Sequence, residues 1–75
     1  MRESKDAHIH RHPGIAGQVA YSVQTASGRL TFVGSVYGGP VVMVLPGGGE
    51  HFVTDPQRFG KFDKAWVKAF MSQAV

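Results

Sequence analysis

The sequence predicts a small α+β domain, an antiparallel meander of three to four strands followed by a C-terminal helix, in the order β-β-β-(β)-α. Three observations predict it. Apolar and polar residues alternate strictly from Gln18, which is the period of a half-buried strand. Glycine-rich breaks recur at short intervals through residue 49. After Asp63 the apolar period changes to that of a helix.

The elements follow in order. Residues 1–14 are polar and mixed in charge and read as a flexible, histidine-containing arm, with Pro13-Gly14 marking a turn; residues 15–75 form the single domain. From Gln18, Val19, Tyr21, Val23 and Thr25 share one face and Gln18, Ala20, Ser22 and Gln24 the other. Ala26-Ser27-Gly28 turns the chain. The next strand, about Arg29–Tyr37, places Leu30, Phe32, Gly34 and Val36 on one face and Thr31, Val33, Ser35 and Tyr37 on the other. Gly38-Gly39-Pro40 breaks it. Val41–Leu45 is apolar on both faces, the mark of a central or doubly covered strand. Pro46 and three glycines end it, and Glu50–Thr54 is a short fourth strand. Asp55-Pro56 then opens a helical turn, with Asp55 as the side-chain cap and Gly60 as the terminator. Asp63 caps a longer helix over Lys64–Gln73, on which Trp66, Val67, Phe70, Met71 and Ala74 form one apolar stripe.

Size and composition restrict function. A chain of 75 residues buries only ~60% of its unfolded surface, so domains this small often rely on a staple or a partner. There is no cysteine, which removes disulfides, thiolate metal sites and a cysteine nucleophile. No apolar run approaches the ~18 residues of a membrane span, and the start of the chain does not read as a signal peptide. The expected compartment is the cytoplasm.

Charged residues are 17% of the chain, against a usual ~25%. The +3 formal charge is concentrated at the C-terminal end, in Arg58, Lys61, Lys64 and Lys68 against Asp63. Between Pro13 and Gln57 only Arg29, Glu50 and Asp55 are charged. One helix covers one face of a sheet. The face with Val19, Tyr21, Val23, Leu30, Phe32, Val36 and Met43, to which Val41 and Leu45 can add, should lie under Trp66 and Phe70. The other face then leaves Ala20, Val33, Tyr37, Val42 and Val44 to be covered by something else. These five are the expected partner-binding residues of a non-enzymatic module that self-associates and binds another protein.

The alternative is nucleic-acid binding through Arg58, Lys61, Lys64 and Lys68. In layout, a sheet followed by a lysine-bearing helix resembles double-stranded-RNA-binding domains, which however begin with a helix and carry denser lysines. A small metal or enzymatic protein ranks last. His8, His10 and His12 would line up on one side of an extended chain, with His51 as a distant fourth ligand. Arg11 interrupts that row and no carboxylate follows at ligand spacing, so no metal and no other cofactor is expected. The glycines of Pro46–His51 lack the Lys-Ser/Thr of a phosphate loop, Glu50 and His51 face opposite ways on a strand, and none of the five serines sits in a nucleophile elbow.

The run Val53-Thr54-Asp55-Pro56-Gln57-Arg58-Phe59-Gly60-Lys61-Phe62, with Trp66-Val67 and Phe70 after it, resembles small orphan proteins of actinobacterial phages. The resemblance covers the last third of the chain. It implies an intracellular phage product, located in the host cytoplasm, that acts by binding a host protein, and it carries no catalytic residues.

Overall fold

The strict alternation from Gln18 forms a hairpin. In the computed structural model, which describes residues 9–14 and 16–73, β2 (Gln18–Thr25) pairs antiparallel with β3 (Gly28–Ser35), with Tyr21 opposite Phe32. Thr25 closes the turn: its hydroxyl donates to the Gly28 carbonyl at 2.7 Å and accepts from the Ser27 amide. β4 (Val42–Val44) pairs with β3, and β5 (Glu50–Phe52) pairs with β4. The sheet has five strands in chain order, all pairs antiparallel, and the helix α1 (Lys64–Gln73) follows it. This is the α+β meander-then-helix that the sequence predicts, with one strand more.

The extra strand, β1 (Ile9–Pro13), corrects the reading of residues 9–13 as part of a flexible arm. It pairs with β2 along its whole length, from Ile9 opposite Val23 to Pro13 opposite Val19. Ile9 is buried in the core, and that single apolar residue among polar neighbours holds β1 in register. Residues 1–8, His8 included, lie outside the described residues, as do 74 and 75 with Ala74 of the expected stripe.

The core lies between α1 and one sheet face. Val19, Tyr21, Val23, Phe32 and Val41 are buried there with Phe62, Trp66 and Val67, and Leu30, Met43 and Phe70 pack against them. Trp66 is the hub, 1% exposed. Phe32, Phe59 and Phe62 meet it edge-to-face at 5.9, 5.4 and 5.1 Å, and Phe70 stacks on it at 5.5 Å. The indole N–H donates to the Pro56 carbonyl at 2.6 Å, so its one polar group is satisfied. Gly34 is buried on the same face because the Phe62 ring occupies the space of a side chain: a Cβ there would stand 2.7 Å from Phe62 Cδ2.

Several local expectations change. β3 ends at Ser35, so Val36 leaves the core face and is 39% exposed. Pro56–Phe59 is a single 3-10 turn and Asp55 makes no side-chain cap bond there; Gly60 ends the turn at φ 87°. The Val41–Leu45 segment is central, with β4 between β3 and β5, and is not doubly covered among the described residues: Val41 is buried, whereas Val42 and Val44 are half-buried on the other side. Asp63 does cap α1, its Oδ1 accepting from the Trp66 amide at 3.0 Å. Asp63→Ala is expected to cost about 1 kcal/mol, read as a lower urea midpoint with an unchanged slope.

Candidate functional site

On the sheet face that no described element covers, the pairing register sets two cross-strand rows that span all five strands, flanked by the pairs Gln18–Ser35 and Gln24–Arg29. One runs His12–Ala20–Val33–Val42–Phe52, one residue from each strand. The other runs His10–Ser22–Thr31–Val44–Glu50. Neighbours in a row stand about 5 Å apart, so each row is a continuous band across the sheet. The first band is apolar through Ala20, Val33 and Val42 and ends on Phe52, which is 72% exposed at the sheet edge. The second is polar at both ends, with His10 and Glu50 exposed on opposite edges.

Ser22 is buried on this face, between His10 and Thr31. Its hydroxyl and His12 Nε2 are 2.8 Å apart in a hydrogen bond. That bond draws the imidazole along β2 toward Ser22 and leaves Ala20, its direct cross-strand partner, half-exposed.

Of the residues expected on the partner face, Ala20, Val33 and Val42 stand in one row and Val44 in the next. Tyr37 is separated from them. It lies beyond the end of β3, with its amide donating to Ser35 Oγ at 3.0 Å and its ring laid on Gly17, and it is 85% exposed. Gly17 has φ 80° and no side chain, which the ring needs in order to approach so closely. Phe52 was missed. The signal was present, since Phe52 shares the parity of Glu50 and the strand after the glycine turn pairs back on Val42.

Arg58, Lys61, Lys64 and Lys68 are all exposed, on the 3-10 turn, the segment after it and α1, so they belong to the helical layer over the opposite face. Arg58 lies 5.8 Å from the centre of the Phe59 ring. His10 and His12 face the uncovered side and His51 the helix side, so the pairing separates His51 from the other two. Among the described residues no group of three or more His, Asp or Glu is placed to hold a metal ion. No protein-family model, curated protein or solved structure matches the chain. No helix among the described residues is long and apolar enough to cross a membrane.

A cleft of about 290 Å³ opens between the 35–41 loop and the 3-10 turn, lined by Val36, Tyr37, Val41, Phe62 and Trp66, with Lys61 its only charged residue. It sits at the small end of ligand pockets and gathers no acid–base pair.

Proposed function

We propose that the chain is a protein-binding module that works through the uncovered sheet face and needs no catalytic centre or cofactor. The observation that carries this reading is the Ala20–Val33–Val42–Phe52 band. It crosses four adjacent strands without a charge and ends in a largely exposed aromatic ring. Antiparallel sheets with a solvated face normally place polar residues on it; an apolar band with an aromatic end is the composition of an interface centre. In the phage setting that the sequence resemblance implies, a host protein is one partner class for such a face.

The second reading, nucleic-acid binding, has one observation in its favour: Arg58, Lys61, Lys64 and Lys68 are exposed in a single layer. Four cations neutralise at most four phosphates, and each would steepen the fall of log K with log salt by about 0.9 on duplex DNA. A gel-shift titration with mixed duplex DNA and RNA separates the two. We expect no retained complex at about 0.15 M salt, where such a small patch is screened. Tight binding there, lost in a Lys64→Glu, Lys68→Glu variant, would establish the nucleic-acid reading instead.

A further inference from the structure

We infer that the occupant of the uncovered face is a second copy of this chain, packed face to face about a twofold axis that runs along β3. This rests on the reading of that face as a protein-binding surface. Two sheets packed face to face with aligned strands stand about 10 Å apart, with strand directions within about 30°. A closed pair of identical faces must be self-complementary about its axis, and the two rows meet that condition in one of the two simplest orientations.

With the axis along β3, each row meets itself reversed. In the polar row, His10 at one edge faces Glu50 of the second copy at the other, and the symmetry repeats this pair. Thr31 faces its own copy at the centre, and Ser22 faces Val44. In the apolar row, Val33 faces Val33, Ala20 faces Val42, and Phe52 comes over the His12 end of its partner. Reversal sets the Phe52 ring against the end of the row at which the His12 imidazole is held toward Ser22.

An axis across the strands, between the two rows, does the opposite. It stacks β1 on β1, bringing His10 against His12 of the other copy, and it places the Glu50 carboxylate over the Phe52 ring, whose face is negative. An imidazole set against a carboxylate at each edge thus selects the axis along β3. The like-charge approach in that arrangement is Arg29 with its own copy, at the end of β3, where a long side chain turns its head to water.

The two rows cover about 20 Å across the strands and 15 Å along them, well under the ~800 Å² per partner of a standard interface. The pair is a reversible one, so sedimentation is followed over a concentration series. The wild-type chain is expected to pass from monomer to dimer, with amide shifts moving at Ala20, Val33 and Val42. Glu50→Lys and His10→Glu, both at exposed edge positions, should each weaken the dimer by about tenfold. The combined His10→Glu, Glu50→Lys variant should restore it, and His51→Glu, on the other face of β5, should leave it unchanged. Circular dichroism checks that each variant is folded.

A wild-type chain that stays monomeric overturns the inference and leaves the binding-module reading to the nucleic-acid titration. A dimer whose single variants are not rescued by the pair, with shifts still on the face, overturns the axis and keeps the reading. A dimer with its shifts on α1 overturns both.

Discussion

Trp66→Ala is expected to abolish most of the stability of the fold. Truncating a buried aromatic ring costs about 3–5 kcal/mol, and a domain of this size has a total of roughly 4–11 kcal/mol at ~0.05–0.15 kcal/mol per residue. Trp66 should fall at the costly end. Four aromatic rings pack directly on it, so its removal uncouples α1 and the 3-10 turn from the sheet together. Trp66→Phe separates packing from hydrogen bonding. It keeps most ring contacts but orphans the Pro56 carbonyl, for about 1–2 kcal/mol. Urea unfolding followed by far-ultraviolet dichroism reads both. An alanine variant with the wild-type midpoint would show that the helix is not what covers this face.

Gly34→Val should be nearly as damaging, and for the opposite reason. Phe62 fills the space above Gly34 and is itself held edge-to-face by Tyr21 at 5.2 Å and by Trp66. A branched side chain at 34 has to displace a ring that two others clamp. Overpacking of this kind costs about 1–3 kcal/mol for small additions and more for a β-branched one. Gly34→Ala should sit between. Gly47→Ala, where a Cβ would meet nothing within 4 Å, is the control and should be close to neutral. Because 34 and 62 are in contact, Phe62→Leu in the Gly34→Ala background should recover part of the loss, a non-additivity that thermal denaturation reads directly.

The elements that the sequence announced are those whose signal is local. Alternation from Gln18 located β2, and Asp63 followed by an apolar stripe located α1 with its cap, because periodicity and capping need no knowledge of the rest of the chain. β1 was hidden because its evidence is one residue. Ile9 is its only buried position, and four polar or proline residues follow it. Only the pairing with β2, a tertiary fact, makes that segment a strand. Tyr37 was misplaced because alternation was continued past Ser35, where the turn closed by the Gly38 amide on the Ser35 carbonyl takes the chain off the sheet. Phe52 and the reversed order of the two rows depend on register, and register follows from turn geometry at Gly47–Gly49 that residue types alone do not specify.

Neighbour-to-neighbour strand order also says something about how the chain reaches this structure. Each strand pairs with the one before it, so the sheet can zip along the chain by closing short loops, which is the fast way to build antiparallel structure. The exception is α1, which returns across the whole sheet to touch β1. That contact joins the two ends of the described chain and closes a loop of more than fifty residues. Its entropic cost is the largest in the fold, and the reward comes only when Trp66 reaches Phe32 and Phe62. Helix docking is therefore the late step. Before it, a finished meander exposes two apolar faces at once, and encounter with another chain competes with the chain's own helix.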